Sequence, residues 1–525
     1  MKELKEKYKN ATKYFLENRM FIVIIILVTI LSFGFTITNS SVGMDETAFD
    51  RYYQDKEMLE SGRWGSYLIY SVLGIIEFTP FWVDFLVTTI IVIIALMWCT
   101  FLKKNLEGKL TLGAYIVFAT VFSSFPMINE CYIFSNSSLA VMLGTFLASL
   151  GIMLFYENYS NIHKKIIYAL VVMILAVAFS MYEACGQIML VCICITALLM
   201  LYTNKDKKIK EIFKYAFCAL GLLIVGVILD EIIVKLIYMA GIKASNEADK
   251  EISWGKYGIV ESFQLILINI VNAMKNTKYF PVLIFDTFSG IGLAISILQS
   301  DKKKNWMILI IFIAMFLSNF AISMLQLDSV LYITCTSWGL FVAIIIMVTY
   351  KFLSEYKITK ILAIIMIGML VLQQTKTLNQ LFYNDYMRYQ KDLHIAYELI
   401  YDLEKDYDTS KPLVIMGTPY KGMGNCKITE EQIKLLEEIG MRFETNYKEK
   451  EWNKKYELAK AYFEHNRNLE IPQSYKTLNG YEYAEGGIAL GTWLNTQRQA
   501  YKNQGIYKIT EEQIKLLEEI GMRFE

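Results

Sequence analysis

The stretch SVGMDETAFDRYYQDKEMLESGRW, residues 41–64, sets two carboxylates side by side, Asp45 and Glu46, and closes on an Arg63–Trp64 pair. A carboxylate within hydrogen-bonding reach of an alcohol can take its proton as the oxygen attacks, so the acidic pair is a candidate general base. A planar guanidinium presents paired N–H donors to phosphate, and an indole beside it suits the headgroup level of a membrane. Together these residue types fit displacement of a phosphate leaving group by a hydroxyl, with Arg51 a second cation able to face the phosphate. Each has a plainer explanation. Asp45 could cap a helix that begins at DETAF, and Arg63 with Trp64 could be only a snorkelling cation and an aromatic anchor. Adjacent carboxylates could also hold a divalent cation through oxygen. No third oxygen ligand is identifiable, so no metal or other cofactor is assigned.

What must position these residues is a chain built for a bilayer. Of 525 residues 55% are hydrophobic, and the charges are segregated rather than spread, which excludes an ordinary soluble protein. Apolar runs near membrane length occur at about 20–38, 80–102, 110–127, 138–156, 165–182, 184–202, 213–238, 279–299, 306–325, 329–350 and 359–375, which predicts about eleven spans. The first follows a basic, amphipathic segment and has no small-residue cleavage site after it, so it reads as an uncleaved helix. Lysines gather in alternate links: 103–109, 163–165, 204–214, 301–304 and 350–360. By the positive-inside bias these links and the N-terminus are cytoplasmic, and the loop bearing Asp45 is on the outer face of a multi-pass plasma-membrane protein. Residues 65–78 are apolar but short, predicting a surface or re-entrant helix. The stretch IVESFQLILINIVNAM predicts an amphipathic helix along the interface.

Acids inside apolar runs are costly and seldom idle. Asp84 lies near the outer end of the second run, and Glu183 and Gln187 stand where two runs meet in FSMYEACGQ. With Trp64 they are the candidates for a substrate pocket. Asp230 and Glu231 fall in the seventh run with Lys235 one turn on, spacing that reads as a structural pair; Asp286 lies early in the eighth. The eight cysteines sit mostly in apolar runs without zinc-ligand spacing, and only three histidines are present, so they read as small buried hydrophobes. No phosphate-binding glycine motif appears, which disfavours a nucleotide-driven pump or a nucleotide-sugar enzyme. A lipid-linked donor fits that absence.

After the last run, LNQLFYNDYMRYQKDLHIAYELIYDLEKDY predicts a helix and DTSKPLVIMG a turn and short strand, the start of a small external α/β segment. Further on, KITEEQIKLLEEIGMRFE occurs at 427–444 and again, letter for letter, at 508–525. Identity of that length marks a recent duplication or recombination. The expected organisation is a transmembrane domain over 1–375, an external segment and linker over 376–426, and a C-terminal helical bundle over 427–525. The fold class is mainly α.

The first span, the acidic pair, YYQDKEMLESGRWGSYLIYSVLG and FSMYEACGQ resemble the bacterial glucosyl transferase family of the O-antigen-modifying Gtr type II kind. The helix around LFYNDYMRYQKDLHIAYELIYDLE followed by KPLVIMG is similar to that family's external region, and the match fades after Gly417. The resemblance covers about residues 15–417. It implies a GT-C-like transferase moving glucose or a related hexose from a polyprenyl-phosphate carrier to a cell-surface glycan. Asp45 would be the base with Glu46 assisting, and Arg63 and Arg51 would bind donor phosphate. A non-catalytic lipid or glycan transporter using the same outer loops is the alternative, in which Asp84, Asp230 and Asp286 would matter more. The tail, through Trp452, Tyr462, His465, Pro472, Leu490–Gly491, Trp493, Gln497–Arg498, Tyr501 and LLEEIG, resembles the helicase-associated repeat. That module's presumed role is nucleic-acid binding; the expected external location disfavours nucleic acid as a partner here, leaving the bilayer, the lipid-linked sugar and the glycan.

Overall fold

The computed structural model describes residues 2–42, 56–75, 79–106, 108–159, 165–203, 209–244, 257–274, 305–327, 336–406, 447–469, 471–472, 475, 477, 489–502 and 509–524. They form two units, Met1–Asp408 and Thr409–Glu525. Among the described residues there is no strand. The expected strand at 409–417 lies outside them, as do Asp45, Glu46, Arg51 and Asp286.

The first unit runs α1 (Lys2–Glu17), α2 (Arg19–Thr38), α3 (Glu57–Glu60), α4 (Trp64–Leu73), α5 (Pro80–Leu106), α6 (Leu112–Ser123), α7 (Asn129–Ile133), α8 (Ser135–Asn158), α9 (Lys165–Met181), α10 (Cys185–Thr203), α11 (Ile209–Met239), α12 (Ile259–Met274), α13 (Asn305–Ser318), α14 (Ala321–Gln326), α15 (Ser337–Leu353) and α16 (Lys357–Asp406). In an apolar medium every backbone N–H and C=O must be satisfied within the segment, so long apolar runs become helices. Seven described helical segments are long and apolar enough to cross a membrane, by length and composition: 19–38, 80–106, 112–133, 137–158, 185–203, 209–239 and 357–398. Three further expected crossings are the shorter apolar helices α9, α13 and α15. The 17 residues of α9 and of α15 rise only about 25 Å. The expected run at 279–299 lies outside the described residues.

The helices differ in what they bury. α10 is buried on nearly all sides and forms the middle of the bundle. α11 buries a stripe, Ile212, Tyr215, Ala219, Gly226 and Asp230, while Phe217, Ile224, Ile228, Ile232 and Leu236 stay exposed, the pattern of a helix with one face on protein and one on lipid. α12 exposes Val260, Phe263, Leu267 and Val271 at helical spacing, as its amphipathic sequence predicts. α6 is clasped by elements far along the chain. A Cβ on Gly113 would come within 2.5 Å of Tyr350 Oη of α15, and Ser124 Oγ, at its end, donates to Gln374 Oε1 of α16 at 2.7 Å. In a lipid medium such close approach and buried hydrogen bonding replace the hydrophobic drive as the glue.

Contacts sort to two rims, as helices of alternating direction require. At one, Lys104 pairs with Glu157, which also accepts from Tyr8 Oη at 3.1 Å and Asn105 Nδ2 at 3.0 Å; Lys109 Nζ donates to the Tyr202 carbonyl at 3.1 Å, and Lys351 lies over the Tyr202 ring. These are residues of the lysine-bearing links, drawn together. At the other rim, Arg63 and Ser66 meet the turn between α9 and α10, and α2 and α5 meet through Thr36 and Asp84. There Ser41 donates to Asp385 of α16, and Phe35 packs edge-on against Tyr383 and Tyr386.

The second unit holds α17 (Tyr447–Asn466), α18 (Leu490–Tyr501) and α19 (Glu511–Glu519). Its core joins Trp452, Tyr456, Leu490, Leu494, Leu517 and Ile520. Trp452 Nε1 donates to Gln497 Oε1 at 3.1 Å. α19 opens with a reciprocal capping box between Thr510 and Gln513.

Candidate functional site

Of the candidate residues that the structure describes, Arg63, Trp64 and Glu183 gather around the turn 60–64. Gly62 takes φ +79°, a left-handed conformation that a side chain would resist, and so turns the chain from α3 into α4. Three residues of α11, one turn apart, back this turn. Tyr238 Oη donates to the Glu60 carbonyl at 2.8 Å, Val234 lies against Gly62, and Asp230 Oδ1 accepts from Trp64 Nε1 at 2.7 Å. α9 also holds α4. Ser66 Oγ donates to the Met181 carbonyl at 2.7 Å. A Cβ on Gly65 would overlap Ser180 Oγ and come within 3.1 Å of the Val177 carbonyl oxygen. Only glycine lets the two backbones approach this closely.

Held this way, Arg63 reaches the α9–α10 turn. Its Nε and Nη2 donate to Glu183 Oε1 and Oε2, each at 3.3 Å, and its guanidinium lies 4.9 Å from the Tyr182 ring centroid. The side chains are 25% and 40% exposed, and an ion pair so open contributes on the order of 1 kcal/mol or less. The guanidinium is therefore aimed at an oxyanion and only lightly committed to the one it has. A phosphate oxygen pair offers the same fork-to-fork match.

Asp84 is buried elsewhere in this half of the unit. Its Oδ2 accepts from Thr36 Oγ1 at 3.4 Å, and one turn on Thr88 shares a 2.7 Å hydrogen bond with Tyr132. Gln187 is buried within α10, one turn beyond Glu183. The structure thus brings together Arg63, Trp64 and Glu183, and sets Asp84 in a separate cluster with α2 and α7. Asp45, Glu46 and Arg51 follow Ser41, which Asp385 anchors.

One participant differs from the sequence expectation, and two others were not singled out by it. Asp230 is the partner of Trp64, 166 residues away, not of Lys235; the sequence pointed along the helix to a lysine five residues on, while the carboxylate points across to α4. Tyr182 carried no signal beyond its place beside Glu183. Asp385, which also accepts from Arg388 at 2.8 Å, could have been suspected only as an acid shortly after the last apolar run.

The profile for "Glucosyl transferase GtrII" matches residues 34–372, and that for "Helicase associated domain" matches residues 449–525. The first interval contains the whole of the 60–64 turn, its α9, α10 and α11 supports, and the Asp45–Glu46 pair. No curated protein and no solved structure matches the chain.

Proposed function

Because the chain belongs to the Glucosyl transferase GtrII family, we propose that it is a glycosyltransferase drawing on a polyprenyl-phosphate sugar and delivering glucose, or a related hexose, to a cell-surface glycan. In this reading the protein crosses the plasma membrane many times, with the lysine rim in the cytoplasm and the 60–64 turn at the outer face. The acceptor hydroxyl attacks the anomeric carbon. The bond from that carbon to the phosphate oxygen breaks, its electron pair leaving with the polyprenyl phosphate. The acceptor's proton passes to Asp45, with Glu46 beside it. Arg63 binds the donor's phosphate as charge builds on it, Arg51 adds positive potential, and Trp64, Glu183 and Gln187 border the sugar. Asp84 supports the α2 stem of the loop.

The observation that carries this reading is the Arg63 guanidinium, presenting two N–H groups to a carboxylate in a half-open position beside Trp64. The helicase-associated tail has no part in transfer, and nucleic acid is not a partner. The test is mass spectrometry of surface glycans from cells expressing wild type, Asp45→Asn or an empty vector at matched membrane levels. A hexose added by wild type alone supports transfer with Asp45 as base. Equal addition by the variant would move the base to another carboxylate, and no addition by either would overturn the proposed donor and acceptor.

A further inference from the structure

A groove runs into the first unit from the lysine rim, between α5 and α8. Its walls are two stripes in register: Ile93, Met97 and Thr100 of α5, and Leu150, Leu154 and Glu157 of α8. Each stripe repeats at i, i+4 and i+7, so each is one face of its helix. The space between them is about 400 Å³, and its walls are apolar except towards the rim. Ile93 is 44% exposed, so the groove opens away from the bundle. From Leu150 to Asn158, the wall residue at the rim end, α8 rises about 12 Å. That is most of the roughly 15 Å that one leaflet contributes to a hydrocarbon core of about 30 Å.

The rim end is polar and carries net positive charge. Tyr8 of α1 closes it, donating to Glu157 at 3.1 Å. Lys104 pairs with the same carboxylate, which leaves that pair neutral overall. Lys103 beside it lies with Nζ 4.0 Å from the Tyr14 ring centroid, a contact that does not neutralise its charge. α1 adds five lysines against three glutamates. Close-packed proteins leave few such gaps, and walls that face empty space forfeit their contacts. In a bilayer the filling at hand is a lipid tail. An apolar slot with a cationic mouth fits an amphiphile whose head is anionic and whose tail lies along the helices.

We propose that the α5–α8 groove binds one acyl chain of an anionic phospholipid from the leaflet at the lysine rim, with the lipid phosphate on Lys103. The site is at the opposite rim from the 60–64 turn. The inference rests on the chain spanning a bilayer and is independent of the transfer reaction. Native mass spectrometry tests it, on full-length protein released from nonionic micelles carrying dioleoyl phosphatidylglycerol or dioleoyl phosphatidylcholine. Wild type should retain one phosphatidylglycerol over phosphatidylcholine by about fivefold, the scale of one lysine beside an anionic headgroup. Ile93→Trp plugs the groove and should lose the retained lipid, while its unfolding midpoint in lipid-free detergent stays level or rises, as cavity filling predicts. Lys103→Gln leaves the groove open and should hold both lipids equally, which decides the matter alone if Ile93→Trp unfolds early. Equal retention of the two lipids by wild type overturns the proposal. So does an undiminished preference in Lys103→Gln, or a lipid kept by folded Ile93→Trp.

Discussion

Gly65→Ala tests the site's construction at its tightest point. The added methyl meets Ser180 Oγ at an impossible distance and the Val177 carbonyl oxygen at 3.1 Å. The hydroxyl can swing away at the loss of its 2.8 Å hydrogen bond to Val177, but the carbonyl belongs to the backbone of α9 and cannot. Overpacking of this kind costs roughly 1–3 kcal/mol. The strain falls on the α4–α9 contact that also carries the Ser66–Met181 hydrogen bond, so α4 should shift outward and draw Arg63 from Glu183. Ser180→Ala removes the nearer obstacle and leaves the carbonyl. It should therefore recover part of the loss, giving a favourable coupling of about 0.5–1.5 kcal/mol in a double-mutant cycle. The assay is unfolding in mixed micelles titrated with a denaturing detergent, for wild type, both single variants and the double. If Gly65→Ala unfolds at the wild-type midpoint, or if the two changes are additive, the close approach of α4 and α9 is not as described and the reasoning fails.

Two further outcomes follow from the charges. Glu183→Gln weakens a half-open ion pair worth about 1 kcal/mol at most, freeing Arg63 for a phosphate, so the KM for the lipid-phosphate donor should fall by roughly two- to fivefold. A rise in that KM would mean that Glu183 assists the donor rather than competing with it. Lys104→Met leaves Glu157 with two neutral donors, Tyr8 and Asn105, at a site where the paired side chains are only 10% and 6% exposed. Removing one partner of such a pair costs roughly 3–5 kcal/mol, read by the same detergent titration. Replacing both residues by apolar ones should cost less than the single change.

Much of the bundle was legible because a bilayer makes apolar length decisive. α2, α5, α8, α10 and α11 lie where the apolar runs put them, and the rim that gathers Lys104, Lys109 and Lys351 is the one the lysine-rich links mark out. The long α16 was less legible. The sequence suggests a span ending near 375 and then a separate helix, whereas residues 357–406 form one helix of 50 residues. No glycine or proline falls between Gly368 and Asp406, so the fall in hydropathy near 375 marks the end of the apolar run and not a break in the backbone. At the site, Arg63 and Glu183 could each be nominated because charge at a membrane boundary is conspicuous. Their pairing could not, since nothing local relates residues 120 positions apart. Asp230 shows the same limit: helical spacing offered a partner nearby, and the true one stands on another helix.

The clasp around α6 bears on how the protein is made. Gly113 and Ser124 find their partners on α15 and α16, Ser124 and Gln374 being 250 residues apart. At roughly 5–20 residues per second, ribosomes need on the order of ten to fifty seconds to produce that length. For that interval the nascent α6 lies in the membrane with its small-residue face against lipid or an insertion chaperone. Stalling between the two would strand a half-built bundle whose open flank is in its middle, and such a truncated product is a natural substrate for membrane quality control.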